Sequence, residues 1–221
     1  MNIWTNHFSE LVKEKTGNSR CPSKWEALLA NSIDYIFECG LQIHCSEIIQ
    51  ALVDAPNSKA PGSDGISSEA WKLVVEEKNP TSIISKTTLK IINLMYETGD
   101  ILESMTTSIA VPVPKKGDLK DPDNYRGIFL IPNIVKLLTK IVASKLAKID
   151  NKFNPISKEQ TEFRNFEECT AQTTTFYEIF NRRKLKNIKT WIYYIDYSKA
   201  YVRVPHMVLI QKLRSIGIGG K

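Results

Sequence analysis

The chain has 221 residues, a net charge of +6 and a sequence pI near 9.0, with 42% hydrophobic and 24% charged residues. Its length suits one large domain or two small ones, and its composition is ordinary for a globular protein. No apolar run approaches the roughly 18 residues of a membrane span, and the N-terminus MNIWTNHFSELVKEK lacks the pattern of a signal peptide, so an intracellular protein, nuclear or cytoplasmic, is expected.

The positive charge weakly favours a polyanionic partner. Four cysteines stand at 21, 39, 45 and 169 with no Cys-x-x-Cys, and His7, His44 and His206 form no ligand spacing with them. That argues against zinc and for reduced packing cysteines.

Ile3, Trp4, Phe8, Leu11 and Val12 recur at helical spacing and open the chain. A turn through Cys21-Pro22-Ser23 leads to a second helical stripe, Trp25 to Phe37, which Gly40 ends. Ser46 is placed to cap the next helix, with Glu47 in its first turn. The loop Asn57–Gly65 follows. It is rich in turn formers and is of the kind that lies against phosphates, without P-loop spacing. Ser67 starts a short helix, and residues 82–98 read as another, closed by Gly99.

The period then changes to two at Ile109, Val111 and Val113, with Pro112 and Pro114 marking an edge or a strand end. Lys115 and Lys116 enter the polar loop LKDPDNYRG, and Gly127–Ile131 resume as a strand. Two lysines facing Arg126 across this hairpin are either a triphosphate grip or a solvated tip; spacing alone leaves both open. Ile134, Leu137, Leu138, Ile141, Val142, Leu146 and Ile149 form the best amphipathic helix, whose Lys136, Lys140, Lys145 and Lys148 read as a solvated face.

Asn154-Pro155-Ile156-Ser157 interrupts it, and a helix is expected at about 167–183. Residues 181–190 hold five basic residues and no acid, either a polyanion contact or a solvated helix end. Trp191–Ile195 read as a strand ending on Asp196, and Pro205-His206 begin the last helix. Asp196 either caps the following turn or binds a metal at the mouth of a sheet; the residue by itself leaves both open.

Four blocks, in order, resemble the reverse transcriptase domain of non-LTR (LINE-like) retrotransposons: KAPGSDGI at 59–66; IAVPVPKKGD with NYRGIFLIPNIVKLLTKIVASKL at 109–118 and 124–146; ISKEQTEFR at 156–164; and YIDYSKAYVRVPH at 194–206. The resemblance runs from about residue 40 to the end. It implies an α+β fold: right-hand polymerase fingers at about 40–185 and the beginning of the palm at about 186–221, with the thumb absent and residues 1–39 a helical segment upstream.

By the same resemblance Asp196 is a ligand of catalytic Mg²⁺, and Tyr201 lies under the sugar. Lys115, Lys116 and Arg126 grip the incoming triphosphate, while Gln160, Phe163 and Arg164 line the nucleotide and template-primer approach. Arg182, Arg183 and Lys184 are expected near nucleic-acid backbone. The implied partners are an RNA template, a DNA primer and deoxynucleoside triphosphates.

The chain departs from the family pattern at Glu162 and Phe166, where glycines are usual, at Phe129 in place of a small polar residue, and at Val202 in place of an acid. The family's adjacent Asp-Asp pair occurs nowhere in the chain, and one Asp cannot hold two divalent ions against water. A family polymerase fragment inactive by itself is therefore expected; the alternative is a non-catalytic nucleic-acid-binding or interaction protein built from the fingers.

Overall fold

The structure, a computed structural model, describes residues 2–13, 23, 35–77, 79–157, 159–162, 164, 169–197 and 199–219. The expected helix at 25–37 falls largely outside them. The chain divides into two compact units, Met1–Leu146 with Val202–Lys221, and Ala147–Tyr201. Mixed helix and a small two-stranded sheet make it an α+β protein. No helix of the described residues is long and apolar enough to cross a membrane.

In the first unit, α1 (Asn2–Val12), α2 (Cys45–Val53), α3 (Ser68–Lys72), α4 (Ile83–Thr98) and α5 (Glu103–Thr106) precede the sheet. α6 (Asn133–Phe153) follows it. The core is one cluster in which Ile48 and Leu52 of α2, Ile92 and Met95 of α4, and Ile134, Leu138 and Ile141 of α6 meet. Ile92 and Ile134 are wholly buried. These positions recur every three or four residues, so each helix turns one apolar stripe inward.

Helix ends are set by named groups. α4 begins where Ser82 Oγ accepts the Ser85 N–H at 3.1 Å. The Glu77 carboxylate accepts the N–H groups of Thr81 and Ser82, both at 2.9 Å. α4 stops at Gly99, whose φ of 75° a side chain would strain and whose N–H returns to the Met95 carbonyl at 3.0 Å. α2 is capped two residues earlier than expected: His44, not Ser46, is its N-cap, because Glu47 accepts the His44 N–H at 2.9 Å.

The lysines of α6 correct a second expectation. Lys145 is not on a solvated face: its side chain is 12% exposed, it donates to the Leu41 carbonyl at 2.7 Å, and it lies 5.1 Å from the Tyr96 ring centroid and 4.0 Å from Glu47. Lys140 donates to the Ala51 carbonyl at 3.2 Å, at the end of α2. Long apolar stems let both ammonium groups reach across the helix packing to backbone acceptors that α2 and its flanks leave unsatisfied.

β1 (Ile109–Pro114) and β2 (Tyr125–Leu130) pair antiparallel with Val113 opposite Arg126 and Pro112 opposite Gly127. Pro112 and Pro114 fit because each strand of a two-stranded sheet has a free edge. The face of this hairpin is covered by α1. Trp4 packs edge-on to Tyr125 with centroids 4.5 Å apart, and Phe8 packs edge-on to Phe129 at 5.9 Å. A Cβ on Gly127 would lie 2.5 Å from the Phe8 ring. At the other end of the first unit, α8 (His206–Ser215) leads to Gly217, whose carbonyl accepts the Ile36 N–H at 2.9 Å.

The second unit holds the last turns of α6 and α7 (Cys169–Leu185), which lies close to its expected span. The expected strand at Trp191–Ile195 is absent. Residues 191–197 pair with no strand among the described residues, and Trp191, Tyr193, Tyr194 and Ile195 are exposed. Aromatic and β-branched residues fit a pleated, half-covered surface. Without a neighbouring strand to take up their N–H and C=O groups, that propensity does not make a strand.

Candidate functional site

The hairpin tip gathers three of the expected residues. Lys115 follows β1, and its N–H donates to the Asn124 carbonyl at 2.7 Å, extending the pairing past the last strand residue. Arg126 stands opposite Val113, so its side chain starts two pairs from Lys115, with Lys116 next in the turn. All three are exposed, and none makes an ion pair among the described residues.

The acids of the same loop are engaged elsewhere. Asp118 accepts the Lys120 N–H at 2.9 Å, Asp121 accepts the Asp123 N–H at 2.9 Å, and Asp123 lies 3.8 Å from His7 Nε2 on α1. Asx turns thus use the carboxylates to shape the loop and leave the two lysines and the arginine without partners. Such a trio suits a polyphosphate: the guanidinium offers a fork and the ammoniums offer point charges.

The remaining expected residues lie in the second unit. Asp196 is exposed, with no hydrogen-bond or ion-pair partner among the described residues; it does not cap the turn. Among those residues no group of three or more His, Cys, Asp or Glu side chains converges as a metal site. Asp196 therefore offers a single carboxylate, and the described residues do not make up a two-ion centre.

Tyr201 is 72% exposed, and its hydroxyl donates to Glu162 Oε1 at 3.3 Å. Desolvation first, then the Glu162 charge, raises the phenol above its ordinary value of 10.

Gln160 is exposed, its N–H held by the Ser157 carbonyl at 3.1 Å. Phe163 lies outside the described residues. Arg164 makes an ion pair within its own unit. Its Nη2 stands 3.1 Å from Asp150 Oδ2 and 2.9 Å from the Ile156 carbonyl, with 21% of the arginine side chain exposed and 12% of the aspartate's. Asp150, on α6, also accepts the Ile156 N–H at 3.4 Å. The pair ties the 154–164 segment to the end of α6. Sequence reading missed Asp150 because a partner fourteen positions away follows no helical or strand period.

On α7, Arg182 is paired with Glu178 at 3.0 Å, and Arg183 Nε donates to Thr190 Oγ1 at 2.9 Å. The Lys184 side chain is exposed and unpartnered among the described residues.

The glycine loop at 57–65 also has a different role from a phosphate cradle. Gly62 is buried, and a Cβ there would lie 2.4 Å from Ile131 C and Pro132 N. The loop packs backbone to backbone against the junction of β2 and α6, and so fixes where the hairpin leaves the helical core.

Residues 113–221 match the reverse transcriptase (RNA-dependent DNA polymerase) family.

Its relatives are mobile-element proteins. The chain is 23% identical over 205 residues to the transposon TX1 uncharacterized 149 kDa protein of Xenopus laevis, covering 90% of this chain and 15% of that protein. It is 28% identical over 161 residues to the Pol polyprotein of the type-2 retrotransposable element R2DM of Drosophila melanogaster, covering 72% and 14%. Against the Pol polyprotein of the type-1 retrotransposable element R2 of Popillia japonica the identity is 24% over 174 residues, covering 78% and 22%. The chain thus spans less than a quarter of the length of each.

Proposed function

We propose that this chain supplies the fingers and the first palm motif of an RNA-directed DNA polymerase that copies an RNA template onto a DNA primer. The fingers occupy about 40–185 and the palm begins at about 186. Lys115, Lys116 and Arg126 hold the incoming triphosphate. Tyr201 lies against its sugar, and Gln160 with Phe163 lines its approach. Arg182, Arg183 and Lys184 follow the nucleic-acid backbone. Arg164 positions Gln160 through its bond to Asp150 and does not itself touch nucleic acid.

Asp196 contributes one carboxylate to the Mg²⁺ pair of the family. That pair lowers the pKa of a primer hydroxyl and neutralises the triphosphate. The described residues do not complete its ligand set, so the chain alone is inactive.

The observation that carries this reading is the cation trio at the hairpin tip, unpaired among the described residues while Asp118 and Asp121 accept backbone N–H groups of their own loop. Photo-cross-linking with 4-thiothymidine triphosphate tests it. Labelling on the hairpin that falls at least about tenfold in Lys116→Gln/Arg126→Gln is the expected result; labelling indifferent to both changes refutes the grip. Primer extension on an RNA template with Mg²⁺ tests the second claim. No extension is expected, and extension that Asp196→Ala abolishes would show that the chain is active by itself.

A further inference from the structure

We propose that a cavity between α2, α3 and α6 binds a small organic anion, an apolar body that ends in a single negatively charged group. The cavity is about 350 Å³, at the lower end of the range of small-ligand sites. Its apolar wall includes Leu52, Pro56, Leu137 and the indole of Trp71. Around it stand three ammonium groups, Lys59, Lys136 and Lys140, and no carboxylate lines it.

Two of these lysines keep their charge unpaired. Lys59 makes no hydrogen bond or ion pair among the described residues, and Lys136 reaches only the amide oxygen of Asn133, at 3.4 Å; Lys140 is held by the Ala51 carbonyl at 3.2 Å and by Asp54 at 4.0 Å. Trp71 lines the cavity, so its indole reports on whatever occupies it.

An apolar wall and unpaired cations together select a ligand. A neutral apolar molecule leaves the lysines without a counter-charge, and a cation is repelled by them. A fully hydrated inorganic anion gains nothing from the leucines. An amphipathic anion matches both parts of the lining. The same chemistry is offered by a free aromatic acid or by a mononucleotide, with its base on the wall and its phosphate among the lysines. This site is separate from the hairpin tip and does not depend on the polymerase reading.

Calorimetric titration with 2-naphthoate and, separately, with adenosine 5′-monophosphate tests the proposal, with 2-naphthylmethanol as the neutral control. The Trp71 indole resonance, assigned by Trp71→Phe, is followed in proton–nitrogen spectra. Binding of either anion should move that resonance, and the alcohol should bind at least about tenfold more weakly than naphthoate.

Lys59→Gln/Lys136→Gln should weaken anion binding about tenfold with no change in thermal unfolding. Tighter binding of the nucleotide assigns the cavity to mononucleotides, and tighter binding of naphthoate assigns it to free acids. A stationary indole resonance at millimolar concentrations of both anions overturns the proposal, as does equal affinity for the alcohol, or affinity unchanged in the double variant.

Discussion

Gly62 and Arg164 show how a family-like residue is used once its surroundings are known. Gly62 is required by contact with backbone, which cannot step aside as a side-chain tip can. Gly62→Ala should therefore cost about 1–3 kcal/mol by overpacking. Gly127→Ala meets only the Phe8 ring, which can shift, and should cost less; urea titrations of the two variants check the order. Arg164 and Asp150 form a mostly buried pair, and removing one partner leaves the other uncompensated. Asp150→Ala should destabilise the second unit by roughly 3 kcal/mol, and Arg164→Ala comparably. If Arg164 instead grips a template, its loss would lower RNA affinity and leave stability unchanged. The blocks around both residues were legible in the sequence. Their partners were not, because Ile131–Pro132 and Asp150 approach only through the fold.

At the scale of the element, helix starts and the N-terminal clasp carry the testable chemistry. Four donors, from Ser82, Ser85 and Thr81, converge on Glu77 ahead of α4. They hold its carboxyl far below its ordinary value of 4.5. Glu69, whose carboxylate accepts the Ser58 N–H, is lowered from 4.5 to about 2. Both folded values are depressed, so the stability they confer is complete above the unfolded value and is lost as the pH falls toward the folded one. Unfolding midpoints should accordingly decline from about 4.5 down to about 2 for the Glu69 contribution. Glu77→Gln should lower stability at neutral pH and flatten that decline. The clasp of α1 makes a separate prediction. Phe8 is 8% exposed, and Phe8→Ala should cost on the order of 3 kcal/mol of α1 docking. Hydrogen exchange would register this as reduced protection in α1 and the hairpin, while α4 and α6 stay protected.

For the whole molecule, the net charge is +6, and two basic groups stand out, at a hairpin in one unit and at a helix end in the other. RNA affinity should fall steeply with salt, since each phosphate that a cation neutralises releases counterions. Replacing Arg182, Arg183 and Lys184 by glutamine should reduce the single-strand salt slope by up to about 2, at about 0.7 for each phosphate no longer neutralised. Replacing Lys115, Lys116 and Arg126 should leave that slope in place and weaken triphosphate binding instead. Filter binding at a series of salt concentrations separates the two outcomes. A slope that responds to the hairpin and not to α7 would reverse the assignment of the two basic regions.

By itself the sequence determined the helices of the core and the hairpin with its basic tip, because these rest on periodicity, turn formers and local spacing. Gly99 and Ser82 mark the ends of α4 in the sequence as they do in the fold. Tertiary structure alone decided which charges are free. Lys145 reads as solvated and is half-buried over Tyr96, Arg164 is paired with Asp150, and the carboxylates of Asp118 and Asp121 accept N–H groups of their own turn. The same holds for Trp191–Ile195: a strand needs a neighbour to take its hydrogen bonds, and no period within five residues records whether one is there. Pairing and burial are relations between distant segments, whereas a local pattern records only the preference of one.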